Sequence, residues 1–375
     1  MNAVTNLARL RGPGIFAVVA ALALVVAPLA LEPFRLGLLA KYLCFAIVAL
    51  GIGLAWGQGG MLTLGQGVFF GLGGYAMGMH LKLVEASSLP SSGSSSGGGP
   101  ALPDFMVWSG VEELPALWAP FADPVFALAM VVAGPVLIAT VLGLLVFRQR
   151  VRGAYFAILT QALAAAFVIL LVGQQGLTGG TNGLTNFFEL FGRDLADDST
   201  QRGLYIVVAL VLGVLYLGAR QLVNSRFGRL LVAVRDGEDR VRFLGYDPAV
   251  VKTIVFAISA GMAGLAGALF VPVVGIISPA LLGVVPSLEL VVAVAVGGRF
   301  ALAGAVLGAV VMGYAKTSFS EQFADGWLYL QGALFILVMT LAPKGLVGLA
   351  ASAREALAAR RRPAVPASRT VKEIA

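Results

Sequence analysis

Two sets of side chains in this 375-residue chain could do chemistry, one charged and one neutral. The charged set lies in NSRFGRLLVAVRDGEDRVRFLGYDP, Asn224 to Pro248, between two long apolar runs. Ser225 suits the N-cap of a helix from Arg226 to Arg235, Gly237 breaks it, a second turn runs from Asp239 to Leu244, and Gly245 can end that turn with φ > 0. Asp247 then caps the next helix, with Pro248 at its first position. Leu230, Leu231 and Val234 form an apolar side, and Arg229, Arg235, Asp236, Glu238 and Asp239 a polar one, as a knob entering a partner's cleft requires. The contact is expected from Arg229, Val234, Arg235, Asp236, Gly237, Glu238 and Arg240. Adsorption on anionic lipid is the alternative, and the mixture of acidic and basic charge argues against it.

The neutral set consists of polar residues inside apolar runs. Burying an amide in hydrocarbon without partners costs roughly 2 to 7 kcal/mol, so Gln66, Gln161 and its neighbour Thr160 must face another helix or a wet cavity. Glu289 invites the same argument, with Lys316 as a partner; a structural bond is favoured over substrate contact, because one acid without a relay is a poor basis for proton coupling. Lys41 and Arg35 are expected to snorkel to the interface. In GLTGGTNGLTNF, Gly179, Gly180 and Gly183 free the backbone while Thr181 and Asn182 offer donors and acceptors; an external gate and a plain turn remain equally open.

Other chemistries are excluded by what the chain lacks. One cysteine, Cys44, gives no disulfide framework and one histidine, His80, no multi-histidine metal site, so neither catalytic residues nor metal ligands are expected. No G-x-x-x-x-G-K-[ST] occurs, so the chain has no nucleotide-hydrolysing loop and is expected to bind no cofactor itself. Gly93 to Gly97 matches G-x-S-x-G, yet no strand precedes it and no helix follows, and the match is taken as chance.

The elements that position these residues follow from composition. With 59% hydrophobic and 12% charged residues and a mean hydropathy of +0.92, the chain reads as an all-α polytopic membrane bundle. Ten spans are expected, at 14–31, 36–56, 61–81, 124–147, 154–173, 203–223, 251–277, 279–297, 302–318 and 327–342. Only Gly298 to Ala301 separate the eighth and ninth, so one of these could be re-entrant. Basic residues gather at Arg9 and Arg11, Arg148 to Arg152, Arg226 to Lys252 and Arg354 to Lys372, while the intervening loops lean acidic. The net charge of +7 therefore reads as topology, with both termini cytoplasmic. The first apolar run lacks a small-residue cleavage site and reads as a retained span. Residues 1–349 form the membrane domain, 224–248 a cytoplasmic loop and 350–375 a basic tail that rests on anionic headgroups. Residues 82–123, with the tract SSLPSSGSSSGGGP, are expected to form a flexible external loop on which nothing functional depends.

Glycine spacing adds a packing expectation. Gly67 and Gly71, then Gly74 and Gly78, bare one face of the third span, and Gly261, Gly264 and Gly267 do the same in the seventh. Close helix packing is favoured over lining a path.

These residues carry a resemblance. GRLLVAVRDGEDRVRFLGYDPAVVKTIVFAISAGMAGLAGALF resembles the cytoplasmic coupling loop and following helix of the branched-chain amino-acid (LivM-like) ABC importer permeases, and the similarity runs from about the second span to Leu349. RGAYFAILTQAL at Arg152 to Leu163, GGTNGLT at Gly179 to Thr185, VPVVGIISP at Val271 to Pro279, and WLYLQGALFILV with PKGLVGL at Trp327 to Leu349 look more like the urea-transporting, UrtC-like branch. Gln161 stands where amino-acid members carry a small or apolar residue. The resemblance implies an inner-membrane subunit forming half of a path for urea or short amides, paired with a second permease, two cytoplasmic ATPases that use ATP and Mg, and a periplasmic binding protein. The closest alternative is an amino-acid permease of the same architecture. A stand-alone secondary transporter would need an ion site and two related halves, and the sequence shows neither.

Overall fold

A computed structural model of the chain describes residues 26–88, 102–151, 153–320, 326–341 and 345–348. Most of the expected first span, the Ser/Gly tract with its G-x-S-x-G match, and the basic tail lie outside the described residues.

Among the described residues, ten helices of 14 residues or more carry the fold. α1 is Pro33–Ile52, opened by proline in its first turn and continued by a π-helical stretch, Gly53–Gln58. α2 is Gln66–Ser88. α3, Pro124–Arg148, starts where the Asp123 carboxylate accepts the amide of Val125 at 3.0 Å. α4 is Ala154–Gly173, α5 Asp198–Asn224, α6 Arg226–Phe243 and α7 Pro248–Val274. α8 is Val284–Gly297, α9 Leu302–Ser320 and α10 Trp327–Leu341. Apart from the first, every expected apolar run coincides with a helix to within a turn or two.

Among the described residues, seven helices are long and apolar enough to cross a membrane: α1 with its π-helical extension, α3, α4, α5, α7, α8 with the turn before it, and α9. α2 is as long, 23 residues, but glycines and His80, Lys82 and Glu85 dilute its apolar character, and it is buried along nearly its whole length. α10 has only 15 residues. The eighth and ninth expected spans are both helical, joined at Gly298, whose φ of 120° turns the chain between them.

α7 lies at the centre, packed on α1, α2 and α3. Small residues let α2 and α7 meet backbone to backbone: a Cβ on Gly267 would collide with the carbonyl of Phe70, and one on Gly73 with the backbone of Gly264. Aromatic rings fill the layer beside this contact, with Phe256 touching Phe69 and Phe156 at centroid distances of 5.4 Å each. α5 is the most peripheral crossing helix, with 11% of its apolar window buried. Surface of that kind needs no protein cover in lipid.

The loops gather at two ends. At one, β1 (Leu184–Thr185) pairs antiparallel with a second two-residue strand, Ile276–Ile277, and Lys82 reaches Glu85, Asp104 and the carbonyl of Asn186 at 3.2, 3.3 and 2.9 Å. At the other, Gln58 donates to the carbonyl of Phe300 at 3.0 Å and Arg235 to that of Gly57 at 2.7 Å. These are the two groups into which charge alternation sorts the loops.

One expectation is corrected. Residues 82–88 continue α2, and 102–123 is not a loose loop but a folded cover, with a helical turn at Asp104–Trp108 and another at Ala119–Ala122. Leu102, Phe105, Met106, Trp118 and Phe121 are buried beneath it, the Trp118 indole donates to the carbonyl of Leu177 at 2.9 Å, and His80 Nδ1 lies 2.9 Å from the carbonyl of Phe121. These apolar residues flank the Ser/Gly tract and supply the burial that the tract itself cannot.

Candidate functional site

α6 is two short helices in one. The Ser225 hydroxyl accepts the amide of Gly228 at 3.2 Å, and Gly237 leaves the helical region at φ −167°, ψ 74°. The chain then turns at Gly245, φ 86°, and re-enters the bundle where Asp247 accepts the amide of Ala249 at 2.9 Å. The inner face carries Leu231, Val234 and Val241, all buried. Glu238 is buried too and receives Lys252 of α7 at 2.6 Å and Arg242 at 3.4 Å. Of the residues expected at a partner, Arg229, Asp236 and Arg240 are exposed, Arg235 and Gly237 are half-buried, and Val234 and Glu238 face inward as anchors. Lys252 had counted in the sequence only as a basic residue marking a loop; its ion pair across fourteen positions needed the fold.

Arg235 joins the two sides of this surface. One guanidinium nitrogen holds the carbonyl of Gly57, where α1 ends, and another lies 2.9 Å from Asp236 Oδ1. The hydrogen bond from Arg235, helped by its charge, holds the Asp236 carboxyl below the usual carboxylate range. Gly60, φ 70°, passes beneath the arginine so closely that a Cβ there would stand 2.7 Å from Arg235 Cγ. A cavity of about 410 Å³ opens at this point, lined by Gly60, Gly153, Arg235, Gly237, Arg240 and Lys252 among others. The arrangement offers an exposed polar corner on a helix that is bolted, through Arg235 and Glu238, to two transmembrane helices.

The neutral residues do not converge. Thr160 is buried, and its hydroxyl accepts the amide of Leu64 at 3.0 Å while donating to the carbonyl of Ala157 at 2.9 Å, so it pins the break before α2 instead of offering itself to a solute. Gln66 donates from α2 to Ser259 of α7 at 3.1 Å, and its Oε1 has no partner among the described residues. Gln161 is half-buried on α4 and meets no hydrogen-bonding partner among the described residues. Thr181 and Asn182 are exposed in a turn shaped by Gly179, Gly180 and Gly183, with φ of 77°, 59° and 68°. The expected path residues therefore occupy separate places, because Thr160, Gln66 and Glu289 sit on different helix interfaces.

Glu289 faces a second cavity, of about 130 Å³, between α1, α2, α8, α9 and α10. Both carboxylate oxygens receive the Lys316 ammonium, at 2.8 and 2.6 Å, the pairing that the sequence suggested. Lys41, expected from the sequence to snorkel to the interface, is half-buried and lines this cavity. Ser287 and Gln331 line it as well. Sequence reasoning passed over both, since a serine or glutamine in an apolar helix gives no sign of its direction until the helix is packed.

The glycines sit at close approaches. Gly67 and Gly71 meet Leu282, Gly74 and Gly78 meet Ile277, and on α7 Gly261 faces Val136, Gly264 the Val131 carbonyl and Gly267 that of Phe70. Among the described residues no group of three His, Cys, Asp or Glu side chains could hold a metal ion.

Residues 34–339 match the family described as "Branched-chain amino acid transport system / permease component". The chain is 26% identical over 328 residues to the high-affinity branched-chain amino acid transport system permease protein LivM of Salmonella typhimurium (strain LT2), a match spanning 81% of this chain and 67% of that one. The figures are the same for LivM of Escherichia coli (strain K12). To the permease protein LivH of Salmonella typhimurium it is 23% identical over 309 residues, 81% of this chain and 91% of that one. No solved structure matches the chain. With its apolar helices and a family match along most of its length, the chain belongs to the permease components of branched-chain amino acid transport systems, ABC-type subunits that are multi-pass inner-membrane proteins and not themselves enzymes.

Proposed function

We propose that this chain is one half of the membrane path of an importer driven by ATPase subunits, with α6 as the element through which their motion enters. One observation carries the reading: the corner Arg235 to Arg240 exposes Asp236, Asp239 and Arg240, yet it is tied through Arg235 to Gly57 at the end of α1 and through the buried Glu238 to Lys252 on α7. α7 runs the depth of the bundle in 27 residues, so displacing α6 displaces the central helix. The partners in this reading are a second permease subunit as a heterodimer, two cytoplasmic ATPases that bind ATP and Mg, and a periplasmic solute-binding protein. Residues 224–248 are then the cytoplasmic coupling loop.

For the solute, an amino acid with an apolar side chain is the first reading, supported by the names of LivM and LivH. Urea or a short amide is the second, supported by the Gln161 amide, which is half-buried and has no partner among the described residues. Thr181 and Asn182 are candidates for the external contact with the binding protein. The test is uptake by the reconstituted complex. ATP-driven uptake that collapses in Gly237→Trp and Arg240→Glu, with the subunits still assembled, supports the coupling assignment; normal uptake by both overturns it. Competition by excess leucine but not urea selects the first solute. Competition by urea, lost in Gln161→Leu, selects the second.

A further inference from the structure

We propose that the cavity between α1, α2, α8, α9 and α10 is a binding site for a zwitterionic amino acid with a short apolar side chain. This rests on the amino-acid reading above and deepens it by naming the residues that would take the solute. By topology the site lies toward the end that carries β1, since Glu289 is near the start of α8, Lys316 near the end of α9 and Gln331 near the start of α10.

Charge and hydrogen bonding set the ligand class. Three charged side chains line the cavity, Lys41, Glu289 and Lys316. Lys316 is spent on Glu289, whereas Lys41 has no ion pair or hydrogen bond among the described residues. An ammonium facing a cavity between apolar helices calls for a carboxylate. Ser287 and Gln331 line the same cavity, are buried at 1% and 6% exposure, and Ser287 Oγ and Gln331 Oε1 have no partner among the described residues. An unsatisfied buried polar group costs about 1 to 3 kcal/mol, so both favour a solute that brings hydrogen-bond donors. They form an acceptor pair suited to a second ammonium, beside the Glu289 carboxylate that Lys316 already neutralises. The remaining wall is mostly apolar, including Phe45 and Leu290, with the Tyr42 and Thr317 hydroxyls hydrogen-bonded to each other. A monocarboxylate would satisfy Lys41 and leave the acceptors idle. Urea would serve the acceptors and leave Lys41 unpaired.

Size agrees with this. The cavity of about 130 Å³ is close to the engineered apolar cavity of about 150 Å³ that holds benzene, a size that suits a small amino acid.

The experiment is equilibrium binding of labelled L-valine to the complex of permease and ATPase subunits in nanodiscs, without nucleotide and without the binding protein. The competitors are 3-methylbutanoate, which is valine without its amine, 2-methylpropylamine, which is valine without its carboxylate, and urea. Saturable valine binding, with each half-molecule at least tenfold weaker and urea inert, supports the site. A loss of at least tenfold in Lys41→Met, with Lys41→Arg within a few-fold of wild type, supports it further. Displacement by 3-methylbutanoate as strong as by valine, displacement by urea, or an unchanged affinity in Lys41→Met overturns it. Should Lys41→Met fail to assemble, the wild-type competitor series decides. Coupling does not enter a measurement made without ATP: valine import that persists while Lys41→Met binds valine normally removes this site alone, whereas absence of ATP-driven valine import removes the amino-acid reading.

Discussion

Lys252 of α7 donates to Glu238 of α6 at 2.6 Å, and both side chains are about nine-tenths buried. The ammonium also lies 5.7 Å from the centroid of Phe147, and Arg242 approaches the same carboxylate at 3.4 Å. The surface helix is thereby joined to the central helix by a largely buried charge pair, at the point where motion of one must be felt by the other.

Removing one partner strands the other's charge, at a cost of about 3 to 5 kcal/mol for a buried pair. Lys252→Met should lower the apparent Tm of the detergent-purified chain and reduce stimulation of ATP hydrolysis by solute. The double variant Lys252→Met with Glu238→Gln should recover much of the stability without restoring coupling. Thermal unfolding beside ATPase assays separates the two effects, and full coupling in the double variant would show that the pair does not transmit motion.

Gly60 lies under Arg235 with φ 70°, and a Cβ there would stand 2.7 Å from the arginine Cγ. Gly60→Ala combines a left-handed conformation costing about 1 to 2 kcal/mol with displacement of the side chain that holds Gly57. Uptake should fall several-fold while the chain still inserts. Gly237→Ala makes the contrast, since its φ of −167° is open to any residue and its added Cβ meets only the Arg240 side chain, at 3.3 Å. It should transport nearly as wild type, in uptake assays run side by side.

Backbone contact between α2 and α7 leaves no room for a side chain at Gly267, where a Cβ would overlap the Phe70 carbonyl. Overpacking against backbone cannot be relieved by a rotamer change, so Gly267→Leu should destabilise by more than about 3 kcal/mol. The yield of monodisperse protein in size-exclusion chromatography should drop sharply. Gly218→Leu, on α5 with no atom within 4 Å, should leave it unchanged.

Asp236 provides a pH prediction. Its carboxyl is held below the usual range by the hydrogen bond from Arg235, so its folded pKa is lower than its unfolded one. A group shifted in that direction contributes fully above the unfolded value, and its contribution disappears only as the pH falls through the folded value. Between about pH 5 and 8 the pair should therefore be intact. The shape of the ATPase pH profile across that window should be the same in wild type and Asp236→Asn, and a change of slope there would mean that another proton is involved.

Much of the local architecture was legible because helix chemistry is local. Ser225, Gly237, Gly245 and Asp247 were each assigned their roles from residue type and spacing, and the dihedral angles and hydrogen bonds match. Apolar run length located the helices, and the Glu289 and Lys316 pairing followed from there being few other charges at that depth. The cover at 102–123 was misjudged because the Ser/Gly tract dominated the composition of its segment, while burial depends on a few residues such as Met106 and Trp118. Where each candidate path residue would sit was illegible for a related reason. A threonine such as Thr160 looks available until the amide of Leu64, 96 positions away, takes it.

The sequence by itself determined that the chain crosses a membrane, roughly where its long helices lie, and which loops share a side. Those properties depend on transfer free energies and capping, which each segment carries alone. Only the tertiary structure decided that Glu238 and Val234 anchor α6 while Asp236 and Arg240 remain outside, and that Lys41, Ser287 and Gln331 line one cavity. The azimuth of a helix is set by the neighbours it packs against, and hydropathy around an apolar helix in lipid is too even to specify it.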